Sequence, residues 1–141
     1  MLTVGSYMTV DPVVLPPRMS VHEARRILVQ HGISGGPVVD ERERLVGILT
    51  ERDIIGAVFR ASYFQDPGSC VADCMTKEVE TLEVYEDIEV AAQRFLTSPL
   101  RRFPVVDRNR LVGLLSRRDV LRAIEDLWTS PELRAGPRGH D

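Results

Sequence analysis

Two segments of the chain place a hydroxyl and a carboxylate three residues apart: Gly47-Ile-Leu-Thr50-Glu-Arg-Asp53 and Gly113-Leu-Leu-Ser116-Arg-Arg-Asp119. In each, an apolar run gives way to a helix-starting pattern, which predicts a strand-to-helix junction at the hydroxyl. An ionised Asp offers two acceptor oxygens and suits a vicinal diol, such as the 2′ and 3′ hydroxyls of a ribose. Backbone N–H groups at a helix start, with the hydroxyl beside them, favour a nearby phosphate. Arg52, Arg117 and Arg118 fall in the same first turns and can add charge-assisted bonds. A ribose phosphate is the ligand these parts fit. The same parts also stabilise a helix by themselves, since Ser or Thr at the N-cap with an acid three residues on is worth about 1 kcal/mol. One such motif alone would read as a cap. Its recurrence within a duplicated frame favours a ligand.

That frame is an internal repeat. Met8-Thr9 returns as Met75-Thr76, and Pro37-Val38-Val39-Asp40 as Pro104-Val105-Val106-Asp107, both displaced by 67 residues. Leu45 to Asp53 returns as Leu111 to Asp119, displaced by 66, the lost residue falling in the turn before it. Each copy predicts a short strand (around Val13–Leu15 and Glu80–Leu82), then a helix. In the first copy Ser20 caps that helix, with Glu23 completing a capping box and Val21, Ala24, Ile27 and Leu28 forming the apolar stripe. In the second, Asp87 caps, and Ile88, Ala91, Ala92 and Phe95 form the stripe. A buried strand led by proline follows (Pro37–Val39, Pro104–Val106), then a polar turn and a second strand (Leu45–Leu49, Leu111–Leu115). A closing helix begins at Thr50 or Ser116 and carries Ile54, Ile55 and Val58, or Val120, Leu121, Ile124, Leu127 and Trp128.

The predicted fold is therefore α/β of the α+β type: two pseudo-symmetric β-α-β-β-α repeats packed sheet to sheet. One copy of about 50 residues would struggle to bury enough surface alone. The expected organisation is a first repeat at 1–60, a linker at 61–69 containing Asp66-Pro67-Gly68, a second repeat at 70–128 and a flexible C-terminal tail at 129–141.

Composition narrows the function classes. The 141 residues are 43% hydrophobic and 28% charged, enough apolar content for a soluble globule. The longest apolar run, Ile54 to Phe59, is far short of the roughly 20 residues of a membrane span. No secretory pattern opens the sequence, so a cytoplasmic location is expected, with Cys70 and Cys74 as reduced thiols. The three histidines are scattered and predict no metal site. A net charge of −3 argues against bulk nucleic-acid binding, and the arginines of 101–122 lack interleaved aromatics for base stacking. Without an activated nucleophile or a paired acid and base, the expectation is no enzyme and no catalytic cofactor.

The Met-Thr starts, the Pro-Val-Val-Asp strands and the Leu-Val-Gly-hydrophobic-hydrophobic-Thr/Ser-x-x-Asp ends, in order and twice, resemble the cystathionine-β-synthase-type regulatory domain. This CBS domain occurs in tandem as the Bateman module, and the resemblance covers about residues 4–126. It implies a stand-alone, non-catalytic regulatory pair that binds an adenosyl nucleotide in a cleft and signals to a protein partner by conformational change, as in energy sensing. AMP, ADP or ATP are the implied ligands, with NAD or S-adenosylmethionine as further candidates. The family's ribose-binding acid maps onto Asp53 and Asp119, and its hydroxyl onto Thr50 and Ser116. The basic residue before Pro-Val-Val maps onto Arg101 or Arg102, and Arg102 and Arg118 are the phosphate candidates. The first repeat departs from the pattern with Ser34-Gly35-Gly36, which offers no guanidinium. A homodimer is also implied. The alternative is a ligand-free dimerisation or scaffold module whose motifs are inherited caps.

Overall fold

The computed structural model describes residues 2–64 and 69–130. Its elements run α1 (Val4–Tyr7), α2 (Val21–His31), β1 (Gly35–Val39), β2 (Leu45–Thr50), α3 (Glu51–Phe64), α4 (Val71–Cys74), β3 (Leu82–Glu83), α5 (Ile88–Thr97), β4 (Arg102–Asp107), β5 (Arg110–Ser116) and α6 (Arg117–Thr129). The mixed α/β architecture is thus built twice, and each copy opens with a one-turn helix that the apolar periodicity does not signal. Four residues are too few to display a 3.6-residue repeat.

α2 starts where Ser20 Oγ accepts the Glu23 N–H and stops at Gly32, whose φ of 63° supplies the left-handed turn. The Glu23 carboxylate meets Arg26 instead of reaching back to the cap, so the predicted capping box is half formed. In α5 the Asp87 carboxylate accepts the Glu89 N–H.

β1 and β2 form an antiparallel hairpin, with a bulge between Val38 and Val39. The strand expected at Val13–Leu15 is reduced to one parallel bridge, Leu15 to Val38. Its counterpart β3 is barely longer, pairing Leu82 and Glu83 with Val105 and Val106 of β4. Prolines at 12, 16 and 17 remove the N–H groups a longer first strand needs.

The compact units are not the contiguous repeats. One, the Asp53 unit, comprises Pro12–Val79 with Asn109–Leu111; the other, the Asp119 unit, takes the chain up to Asp11, Glu80–Arg108 and Val112 onward. In the Asp53 unit, Thr76 pairs with Ile48 of β2 through N–H···O bonds of 2.8 and 2.9 Å. In the Asp119 unit, Thr9 pairs with Leu114 of β5 at 2.8 and 3.0 Å. Each Met-Thr segment therefore extends the hairpin of the other repeat, and this fixes the glycine in both Leu-Val-Gly runs. A Cβ at Gly47 would lie 2.6 Å from Met75 Sδ, and one at Gly113 would lie 2.6 Å from Met8 Sδ.

Leu15, Val21, Ala24, Leu28, Val38, Leu49, Ile54, Ala57 and Val71 form the core of the Asp53 unit. Tyr7, Leu82, Ala91, Phe95, Phe103, Val105, Leu115, Val120 and Ala123 lead that of the other. The closing helices correct the sequence reading: Ala57 and Ala123 face inward, while Ile55, Val58, Leu121, Ile124 and Trp128 are exposed. These helices carry two apolar stripes, and only one reaches the sheet. α3 also runs through Phe64, so residues 61–64 of the expected linker are helical. Residues 65–68 and the tail beyond Ser130 lie outside the described residues. No described helix is long and apolar enough to cross a membrane.

Candidate functional site

β2 and β5 each deliver a hydroxyl to a strand end, and the next helix turn brings back the carboxylate. Thr50 Oγ1 accepts the Asp53 N–H at 3.3 Å, while Asp53 Oδ2 accepts the Thr50 N–H at 2.9 Å and the Thr50 hydroxyl at 3.0 Å. Ser116 Oγ accepts the Asp119 N–H at 3.1 Å, and Asp119 Oδ2 accepts the Ser116 N–H at 2.8 Å. Both pairs are reciprocal capping boxes. Each aspartate spends Oδ2 on its own helix and keeps Oδ1 for other partners.

The helix starts have fewer open donors than expected. The Glu51 N–H donates to the Ser34 carbonyl at 2.9 Å, and the Arg117 N–H to the Arg101 carbonyl at 3.1 Å. With the third helical N–H held by the hydroxyl, the first turn is no longer a bare row of donors for a phosphate.

The two Oδ1 atoms meet different surroundings. Asp53 is half-buried, and the Thr76 hydroxyl approaches its Oδ1 at 3.5 Å, at the outer limit of a hydrogen bond. Asp119 is 7% exposed, and Arg122 Nη2 donates to its Oδ1 at 2.9 Å. The same Nη2 donates to the Tyr7 carbonyl at 2.9 Å, with the guanidinium 6.0 Å from the Tyr7 ring centre. Tyr7 in turn donates its hydroxyl to Asp126 Oδ2 at 2.7 Å. That bond to a carboxylate, reinforced by burial and the Asp126 charge, raises the Tyr7 pKa.

Arg102 is half-buried at the head of β4, and Arg118 is exposed in the first turn of α6. Among the described residues, the side chains of Arg101, Arg102, Arg117 and Arg118 make no hydrogen bond or ion pair. Glu80, one of the acids available to them, pairs instead with Arg94 at 3.3 Å. The cation on Asp119 is Arg122, which sequence reasoning missed. Its i+3 spacing from Asp119 was the available signal. Cys70 donates its thiol to Asp73 Oδ2, and burial pushes the Cys74 thiol pKa up. Among the described residues, no His/Cys/Asp/Glu cluster could hold a metal ion.

Residues 4–60 and 71–126 each match the CBS domain family. The chain belongs to that family. The CBS domain-containing protein CBSX1, chloroplastic, of Arabidopsis thaliana is 33% identical over 94% of this chain and 68% of its own length. An inosine-5'-monophosphate dehydrogenase of Methanocaldococcus jannaschii is 34% identical over 79% of this chain, which spans only 21% of that enzyme. Among solved structures, CBSX2 in complex with AMP superposes with a TM-score of 0.80 at 32% identity, covering 91% of this chain and 99% of that one. The CBS domain pair of protein MJ0100, in complex with 5'-methylthioadenosine and S-adenosyl-L-methionine, gives 0.71 at 28% identity, covering 89% and 97%. The CBS domain is a regulatory rather than a catalytic unit, and adenosyl compounds are the ligands carried by these two neighbours.

Proposed function

We propose that this CBS pair is a non-catalytic regulatory module that binds an adenosyl nucleotide, AMP, ADP or ATP first among them, and signals its occupancy to a protein partner. The observation that carries this reading is the duplicated hydroxyl–carboxylate pair, in which the backbone fixes Oδ2 in both copies and Oδ1 lies outside the cap, meeting only a 3.5 Å contact at Asp53. A carboxylate so braced is preorganised for a ribose diol, which lowers the ordering cost of binding. The AMP-bound CBSX2, alike in fold and 32% identical, supports the choice of ligand class. Binding can shift the protein only through unequal affinity for two states.

A thermal-shift series with AMP, ADP, ATP, NAD and S-adenosylmethionine tests it. A ligand at about 100 times its Kd should stabilise by about 2.7 kcal/mol, a shift of several degrees. No shift with any of them, from nucleotide-free protein, would leave the second reading, a dimerisation or scaffold module.

A homodimer fits either reading. Val29 and Leu96, Ile55 and Leu121, and Val58 and Ile124 occupy equivalent positions of the two repeats, and all six are exposed. Between α2 and α3 lies a groove of about 870 Å³, lined by Leu28, Val29, Ile33, Ile54, Ile55 and Val58 among others, but not by Thr50 or Asp53. Its apolar walls suit a protein surface better than a ribose phosphate. Sedimentation should give a dimer mass, and Ile55→Glu with Leu121→Glu should give a monomer; a wild-type monomer would sink the dimer.

A further inference from the structure

We propose that Arg122 is a latch on the second motif, so that the chain carries one open ribose acceptor, Asp53, and one guarded acceptor, Asp119. The inference rests on the nucleotide reading above and reverses the sequence expectation, which favoured the arginine-rich second repeat.

A diol that donates both hydroxyls to a capping aspartate needs the oxygen the helix has not taken. At Asp119 that oxygen already accepts a charge-assisted bond of 2.9 Å from Arg122. The guanidinium is braced, because the Tyr7 carbonyl accepts from the same nitrogen and the Tyr7 ring lies beneath it. Tyr7 is in turn anchored by its hydroxyl on Asp126. A ligand at Asp119 must therefore compete for that oxygen with a guanidinium held by a second hydrogen bond. The Arg122 side chain is 60% solvent-accessible, so it has somewhere to swing.

None of this exists at Asp53. The residue three after it is Gly56, equivalent to Arg122. Cys74 stands at the Tyr7 position and Arg60 at the Asp126 position, so the brace is absent as well as the latch. A ligand at Asp53 has to displace only the 3.5 Å contact of the Thr76 hydroxyl. A side chain can be added at Gly56, since the nearest atom to a Cβ there is the end of Arg60, 3.3 Å away.

The test is titration calorimetry of AMP into the full chain and three variants, each checked for a cooperative melt. Wild type should bind one AMP per chain in the tight phase, and Asp53→Asn should abolish that phase. Arg122→Gly, which copies position 56, should tighten the second site at least about tenfold and bring the count to two. Arg122→Lys keeps a donor on Asp119 and should leave the second site closed. That rescue separates the latch from a general loosening of α6. Gly56→Arg should weaken the first site by a similar factor, and it tests the proposal even where Arg122→Gly does not fold. A tight phase that survives Asp53→Asn, or a second site that Arg122→Gly leaves unchanged or weakens, would overturn the latch while nucleotide binding stands. Absence of AMP binding in every folded variant would overturn the nucleotide reading, and the latch with it.

Discussion

At Asp53 the oxygen left over from capping looks onto a threonine hydroxyl 3.5 Å away; at Asp119 its counterpart accepts from a guanidinium at 2.9 Å. The local sequences are close copies, and so are the caps. The divergence lies one helical turn on, at Gly56 against Arg122, and across each unit at Cys74 against Tyr7. The unit richer in arginines around its motif is also the one whose second carboxylate oxygen is occupied. A duplicated motif thus keeps its structural duty in both copies, while the surroundings of its second carboxylate oxygen are set by neighbours outside the motif.

The largest effects should fall where the two units are most alike. Gly47→Val and Gly113→Val each drive a side chain into a Met sulfur at 2.6 Å and into a Thr carbonyl at 2.9 and 2.7 Å respectively. Each should cost about 3 kcal/mol by urea denaturation. A tolerated valine at only one of them would break the equivalence of the hairpins.

The capping acids should then separate the units. Asp53→Ala should cost about 1 kcal/mol, the usual price of a cap. Asp119→Ala, which also removes a buried carboxylate and its 2.9 Å bond from Arg122, should cost about 2 kcal/mol. Equal losses would mean that Arg122 adds nothing to the stability of its unit.

Tyr7→Phe removes the 2.7 Å bond to Asp126 and should cost about 1 kcal/mol near neutral pH. Its pH dependence has a definite sign. Because the folded-state pKa of Tyr7 is raised, its contribution is complete below the unfolded tyrosine value and is lost as pH rises through the folded value. Wild type should therefore lose stability in the alkaline range more steeply than Tyr7→Phe. Parallel alkaline profiles would show that the hydroxyl bond is not maintained. Smallest of all, Thr76→Val removes only the 3.5 Å contact on Asp53 and should change stability by less than about 0.5 kcal/mol. A larger loss would mean that Asp53 is held as firmly as Asp119.

Much of the fold was legible in the residues. α2 and α5 follow from Ser20 and Asp87 with apolar stripes at helical spacing, and the hairpins from proline-led strands around polar turns. The hydroxyl–carboxylate pairs sit at the strand-to-helix junctions predicted where each apolar run gives way to a helix start. Less legible were Ile55, Leu121 and Ile124, since an apolar residue on a helix does not say which of two faces the sheet will cover. The cross-pairing of Thr9 with Leu114 and of Thr76 with Ile48 left one sequence trace, the glycine opposite each methionine.

The sequence by itself determined the duplication, the longer helices, the hairpins and both caps, because a cap joins groups three residues apart and its geometry needs no distant partner. The tertiary structure alone decided how Arg122 is braced on Asp119. Arg122 reaches the Tyr7 carbonyl across 115 residues of chain, and Tyr7 reaches Asp126 across 119. Contacts at that separation exist only once the N-terminal segment has packed against α6, so no local pattern records them.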